Sequence, residues 1–326
     1  MQAAWWERNG PAREVLQLGE MPTPQPAPGE VLVRVMASGV NPSDVKSRIG
    51  RAPAFPRIIP HSDGAGVIAA VGQGVDPVRA GERVWLWNGQ WQRAHGTAAE
   101  FIALPAAQAV PLPANTSFEA GACLGIPALT ALHGLLTDGG IAGQAVLVQG
   151  GAGAVGHYAI QFARLLGARR IIATVSSAAK AEHARAAGAD LVLNYREDDV
   201  AARIRAVEPA GVERIIEVDV AGNAALDAVV LAHGGMIAVY GSNKPGAELA
   251  FMPNIARGIG WRFYIVYNLT AAERARSVAT LNAWMEAGLV HHAVAETLPL
   301  SRIADAHEAV EQGRLIGNIV LRIGDG

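Results

Sequence analysis

The spacing of apolar and polar positions changes character about a third of the way along the chain. Before that point, short apolar runs alternate with proline- and glycine-rich breaks. "TPQPAPGE" predicts a loop, "EVLVRVMAS" a strand, and "SDGAGVIAAVGQGV" a strand bounded by glycine turns. "AGERVWLW" and "AAEFIALP" continue the pattern, which predicts a twisted, mostly antiparallel or mixed β domain. From about residue 118 the texture becomes helical, and "SFEAGACLGIPALTALHGLL" predicts a helix capped by Ser117. Short buried strands then alternate with helices. "AVLVQG" precedes "AVGHYAIQFARLLGA", "RRIIATV" precedes "SAAKAEHARAAGA", and "DLVLNY", "VERIIEV" and "GMIAVYGS" follow as strands. That alternation predicts βαβ units on a parallel sheet. The tail reads as two helices, in "AAERARSVATLNAWMEAGL" and "IADAHEAVEQG", and a last strand, "GNIVLRI", which is expected to return to the first domain.

The junction of strand and helix in "VLVQGGAGAVGHYAIQFARLLGA" carries Gly151-x-Gly153-x-x-Gly156. Glycines let the backbone turn sharply and approach a pyrophosphate, and free N–H groups at the helix start face its charge. The stretch Gly151, Ala152, Gly153, Ala154, Val155, Gly156 is therefore the expected dinucleotide cradle of a Rossmann, doubly wound α/β sheet. The second strand bears on the choice between NAD and NADP. It ends "IIATVSSAAK", with Ser176 and Ser177 as donors, Lys180 one helical turn on, and no carboxylate to repel a 2′-phosphate. Tyr195 and Arg196 close the next strand, in "LVLNYRE". NADPH is the expected cofactor; the alternative is that Lys180 and Arg196 are ordinary surface cations.

Composition narrows the class further. The 326 residues suffice for two domains, and a 51% hydrophobic with 17% charged content suits a soluble α/β protein. A formal net charge of -2 gives no reason to expect nucleic acid or an anionic membrane. Cys123 is the one cysteine, so no internal disulfide and no four-cysteine zinc can form. The start, "MQAAWWERNGPAREV", lacks a signal layout, and no apolar run reaches the roughly 18–20 residues of a membrane span. A cytoplasmic location is expected.

Taken in order, "GVNPSD", "HSDGAGVIAAVG", "AGERV", "GIPALTALHGL", "VLVQGGAGAVG", "ATVSSAAK", "LVLNYRE", "HGGMIAVYGS" and "GNIVL" cover nearly the whole length. On these the chain resembles the zinc-independent medium-chain dehydrogenase/reductases, specifically the zeta-crystallin-like NADPH:quinone oxidoreductases. The resemblance implies a GroES-like substrate domain over about 1–121 and 268–326 and a Rossmann domain over about 122–267, with a homodimer formed through the latter. The zinc enzymes of that superfamily place metal ligands where this sequence has Ser38 to Val40, Ser62-Asp63 and Ile126. Cys123 is offset by three residues and is expected to pack as a small apolar group, and His61 precedes the matching position by one. No catalytic zinc is expected.

The resemblance also implies site residues. Asn41 matches the residue near the nicotinamide; Asn41, Pro42 and Asp44 equally make a helix cap. Thr130 matches the residue under the nicotinamide ring, or is a helix threonine bonded to its own turn. Gly241, Ser242, Phe263 and Asn318 complete the cofactor set, although "WRFYIVY" around Phe263 reads equally as a strand at a dimer contact. Trp85, Trp87 and Trp91 line a quinone pocket or belong to the core. Many relatives carry a tyrosine eleven residues after the matching asparagine; here Ala52 stands there. Without a metal or a tyrosine acid, the substrate must already be electrophilic. The expected reaction is hydride transfer from NADPH to a quinone in the interdomain cleft. The alternatives are reduction of an activated alkene such as an enone, and a nucleotide-binding protein with a structural or RNA-binding role.

Overall fold

The computed structural model describes residues 1–313 and 315–324. The chain divides into two compact units, residues 1–126 with 278–326, and residues 127–277.

The first unit is largely β. Its strands are β1 (Gln2–Trp5), β2 (Gln17–Glu20), β3 (Glu30–Val40), β4 (Asp63–Val71), β5 (Arg83–Leu86), β6 (Phe101–Pro105) and β7 (Ala109–Pro111). The short helices α1 (Ala12–Val15), α2 (Pro42–Gly50) and α3 (Phe118–Gly121) interrupt them. The long strand β3 is the organising element. Val31, Val33 and Val35 are buried on one face, and β3 pairs antiparallel with both β4 and β6. Alternating apolar residues need that burial to hold a strand against its neighbours.

The second unit holds β8 (Ala145–Val148), β9 (Arg170–Val175), β10 (Leu191–Asn194), β11 (Val212–Glu217), β12 (Leu231–Val239) and β13 (Gly260–Phe263). Its helices are α4 (Leu129–Leu136), α5 (Ala154–Leu165), α6 (Ala178–Ala186), α7 (Val200–Val207), α8 (Val220–Val230) and α9 (Phe251–Arg257). The six strands form one sheet in the order β10-β9-β8-β11-β12-β13, and every pair is parallel. The order reverses between β8 and β11, the switch point where such sheets bind ligands beyond their carboxyl ends. All four residues of β8, "AVLV", are buried, as a central parallel strand covered on both faces requires.

The chain returns through α10 (Ala271–Glu286), β14 (Val294–Pro299), α11 (Ile303–Glu311) and β15 (Asn318–Arg322). Strand β15 pairs antiparallel with β3, placing the final strand in the first unit's seven-stranded sheet.

The single helix read over "SFEAGACLGIPALTALHGLL" is instead three pieces. Ser117 does cap α3, accepting from Ala120 N at 3.2 Å. A π-helical turn over Leu124–Ala128 then precedes α4, with Pro127 inside it. Proline lacks the N–H that would continue an α-helical ladder, and the wider turn absorbs the defect. Among the described residues, no helix is long and apolar enough to cross a membrane.

Candidate active site

In the second unit the glycine motif turns directly from β8 into α5. Gly153 stands at the N-cap of α5, and Gly153 N donates to Gly150 O at 2.9 Å. A Cβ on Gly156 would lie 2.3 Å from the Gly150 carbonyl oxygen, so glycine alone permits this approach of helix to loop. Ala154, Val155 and Gly156 form the first turn of α5, whose N–H groups have no intrahelical acceptor and carry the positive end of the helix dipole. A cradle of this shape fits an anionic pyrophosphate.

The neighbouring strand ends carry the other expected groups. Ser176 follows β9, and Ser177 caps α6, its hydroxyl oxygen accepting from Lys180 N at 3.4 Å. That bond leaves the Ser177 O–H proton available to donate. Lys180 sits half-buried in the first turn of α6, and Tyr195, exposed, donates its backbone N–H to Val175 O at 3.0 Å. The end of β9 therefore offers hydroxyls, an ammonium and a phenol, with no carboxylate among Val175, Ser176 and Ser177.

Gly241 and Ser242 follow β12, and a Cβ on Gly241 would meet the Val218 carbonyl oxygen at 2.2 Å. The Ser242 hydroxyl donates to Lys244 O at 2.7 Å. Phe263 ends β13 at the sheet edge with 57% of its surface exposed. Thr130 is buried in α4, and its carbonyl accepts from Tyr264 Oη at 2.8 Å.

Asn41 and Asn318 lie in the other unit. The Asn318 amide donates to Ala293 O at 3.2 Å. Asn41 precedes α2, and its backbone N–H is taken by the Asp44 carboxylate at 2.8 Å. Its side-chain amide does something the cap reading did not foresee: Nδ2 donates to Asp63 Oδ2 at 3.0 Å, fully inside the protein. The same oxygen receives Ile126 N at 3.0 Å. Gly125 is part of this arrangement, because a Cβ there would stand 2.4 Å from Asp63 Oδ1. Burial raises the Asp44 carboxyl to about 7, against the opposing hydrogen bonds from Asn41 and Ser62.

Sequence reasoning placed Asp63 only as an occupant of a would-be metal position. Its local signal is slight, a lone acid in "HSDG". Trp85 settles into the core with its indole N–H on Asn282 Oδ1 at 3.1 Å, whereas Trp87 and Trp91 are half-buried. Cys123 is buried, and desolvation raises its thiol pKa, as for a packed apolar group. Among the described residues, no three His, Cys, Asp or Glu side chains converge as a metal site.

Two family models match the chain: an alcohol dehydrogenase GroES-like domain over residues 27–114 and a zinc-binding dehydrogenase domain over residues 154–283. Quinone oxidoreductase from Homo sapiens is 33% identical over 314 residues, which span 94% of this chain and 93% of the relative. Among solved structures, one described as an NAD-dependent alcohol dehydrogenase is 31% identical with a TM-score of 0.89, covering 99% of this chain and 100% of the other. The Escherichia coli quinone oxidoreductase complexed with NADPH is 27% identical with a TM-score of 0.88, again covering 99% and 100%.

Proposed function

The chain belongs to the medium-chain dehydrogenase/reductase superfamily, in its zeta-crystallin-like quinone oxidoreductase family, and we propose that it transfers hydride from NADPH to a quinone. One observation carries the cofactor half of this reading. The end of β9 presents Ser176, Ser177 and Lys180 where an NAD-specific site would carry an acid. A carboxylate there would take the ribose hydroxyls and repel a 2′-phosphate; a lysine and two hydroxyls favour the phosphate instead.

Bound NADPH supplies the hydride. The residues of this chain supply position and charge. Backbone N–H groups of Gly151 to Gly156 hold the pyrophosphate, with Ala152 and Ala154 small enough to leave it room. Ser176, Ser177, Lys180 and Tyr195 hold the phosphorylated ribose. Gly241, Ser242, Phe263 and Asn318 would flank the remainder, Thr130 would contact the nicotinamide, and Asn41 would present its amide to the carboxamide or to the substrate oxygen. Asp63 takes one Asn41 N–H, and the capping box with Asp44 engages the same side chain, so the amide that would face the substrate is held in a fixed orientation.

Ala52 argues for a quinone as acceptor. No tyrosine stands at that position to deliver a proton to an enolate. A reduced quinone departs as a phenolate-type anion with a conjugate-acid pKa of about 10 and takes its proton from water. A homodimer through the second unit completes the proposal.

The test is stopped-flow absorbance of NADPH on mixing with 1,4-benzoquinone or 9,10-phenanthrenequinone. Oxidation of NADPH is expected; no turnover across a panel of quinones overturns the assignment. Analysis of products from an enone panel separates the two chemistries, because a saturated C–C bond as the main product would reassign the substrate.

A further inference from the structure

A file of buried polar side chains runs through the first unit and ends at Asp63. Arg48 Nε donates to His307 Nδ1 at 3.3 Å. His307 Nε2 stands 2.9 Å from His61 Nε2. His61 Nδ1 stands 2.9 Å from Ser38 Oγ, and Ser38 Oγ stands 2.8 Å from Thr97 Oγ1. Thr97 Oγ1 donates to the Asp63 backbone carbonyl at 2.5 Å. Arg48, His307, His61, Ser38 and Thr97 are all completely buried. At the outer end the Arg48 guanidinium also bonds the Gly10 carbonyl and the Glu311 carboxylate.

The two ends fix the direction of every bond between them. A guanidinium has only donors, so His307 Nδ1 must accept, and the neutral ring carries its hydrogen on Nε2. His61 Nε2 must then accept, which places the His61 hydrogen on Nδ1, aimed at Ser38. Ser38 donates to Thr97, and Thr97 donates to the peptide. Reversing any member sets two hydrogens face to face or leaves a buried nitrogen without one. Both rings are therefore neutral and of opposite tautomer, in agreement with burial lowering the pKa of each and with the Arg48 charge adding to the effect on His307.

Such a file does not conduct protons. The guanidinium at one end keeps its proton, and the peptide oxygen at the other cannot retain one. Its effect is on position. His61 has φ 74°, in the left-handed region that a residue with a side chain rarely adopts. A strained backbone persists where its surroundings over-determine it, and His61 is bonded at both ring nitrogens. Two residues later, Asp63 is held by its carbonyl from the file and by its carboxylate from Asn41 and Ile126.

We propose that His61 and His307 are positioning residues: a neutral imidazole pair of opposite tautomers that transmits the fixed orientation of Arg48 to the strained His61–Asp63 turn, and so sets the Asp63 carboxylate that aims the Asn41 amide. The catalytic part of this inference rests on the reading of Asn41 given above; the tautomer part does not.

Two measurements test it. In full-length protein labelled with 15N-histidine, long-range 1H–15N correlation at neutral pH is expected to show His61 protonated on Nδ1 and His307 on Nε2. A cationic ring, or two rings of the same tautomer, overturns the proposal whether or not any quinone is reduced. In steady-state kinetics, His307→Leu is expected to lower kcat about ten- to a hundredfold while the NADPH Kd stays within about twofold, because misorientation is felt at the reacting atoms. His307→Gln, which can accept from Arg48 and donate to His61, is expected to recover most of that loss. A folded His307→Leu enzyme with wild-type kcat, or a loss that glutamine does not repair, refutes the positioning role. Should the leucine variant fail to fold, the tautomers of the unaltered protein decide.

Discussion

Gln149 donates its side-chain amide to Asp227 at 2.8 Å, and this bond ties the loop after β8 to a buried acid on α8. The Gln149 amide oxygen accepts from Thr174 Oγ1 at 2.5 Å, and Thr174 in turn accepts from Gly150 N at 3.2 Å. Asp227 is hydrogen-bonded on its other side to Glu217 at the end of β11. Two buried carboxyls in contact hold one proton between them. Glu217 also receives Asp219 N and the Asn223 amide, which favour its charged form, so the proton belongs to Asp227. Burial, then the Glu217 charge, raises the Asp227 pKa well above its ordinary value.

The first prediction follows from that shared proton. An acid whose pKa is raised by folding contributes stability present below its unfolded pKa of about 4 and lost as pH rises through the folded value. Asp227→Asn keeps a donor toward Glu217 and an acceptor for Gln149, so thermal melts of this variant are expected to decline less than wild type as pH rises above about 4. Asp227→Leu strands Gln149 and Glu217 and is expected to cost about 2–4 kcal/mol. Identical pH dependence in the asparagine variant and wild type would contradict the shared proton.

Asp44 and His61 give the second prediction, because they respond to acid in opposite senses. Burial holds Asp44 at about 7 against an unfolded 3.8, so its stability contribution is present below 3.8 and lost as pH rises through about 7. Burial holds His61 at about 3 against an unfolded 6.5, so its contribution is present above 6.5 and lost as pH falls toward about 3. His307, also depressed, adds to the second effect. Each group tilts stability by up to about 1.4 kcal/mol per pH unit inside its window. Asp44→Asn removes one side of this balance. Urea midpoints of that variant are expected to fall more steeply than wild type between about pH 6.5 and 4.5. A parallel pair of curves would mean that Asp44 ionises normally.

The parts of this molecule that sequence made legible are those written in neighbouring residues. The turn "QGGAGAVG", the cap of Asn41, Pro42 and Asp44, and the hydroxyls after β9 each depend on residues within a few positions of one another. The final strand was readable for the same reason, since "GNIVLRI" is apolar throughout its centre. The π-helical turn was not, because Pro127 inside an alanine- and leucine-rich run signals a break without naming its form. The short helix α9 drew no expectation, for the seven residues "FMPNIAR" carry a proline and are too few to show a helical period. Least visible were the buried pairs. His61 and His307 are separated by 246 residues, and Gln149 and Asp227 by 78. Nothing local in either segment marks a side chain that folding will bring against a distant partner.

Strand β13 provides the third prediction. It is the edge strand of the six-stranded sheet, and Phe263 at its end is exposed. Phe251, Met252 and Ile255 of α9, which precedes it, are also large apolar groups left exposed. An uncovered edge beside apolar side chains favours pairing with a second copy of the chain. Light scattering after size exclusion is expected to give a dimer mass at micromolar concentration, and Met252→Asp with Ile255→Asp is expected to give the monomer mass. A monomeric wild type removes the homodimer from the proposal.

The fourth prediction concerns Ser176, where one substitution should exchange the cofactor. Ser176 follows β9 directly, and Ser177 already spends its oxygen on the Lys180 backbone. Ser176→Asp introduces a carboxylate at the place that accepts ribose hydroxyls in NAD-specific sites. Opposite a 2′-phosphate it is repulsive. At an effective dielectric near a protein surface, two like charges some 4 Å apart oppose each other by about 4 kcal/mol before screening, and part of that survives in solution. Fluorescence titration is therefore expected to show NADPH binding weakened by about tenfold or more, with NADH binding unchanged or improved. Lys180→Ala removes a phosphate partner without adding repulsion, so it is expected to weaken NADPH by about five- to tenfold and leave NADH untouched. Both effects are electrostatic, so raising ionic strength should narrow the gap between wild type and each variant. If neither substitution changes the ratio of the two affinities, the end of β9 does not read the phosphate, and the preference for NADPH has to be sought elsewhere in the second unit.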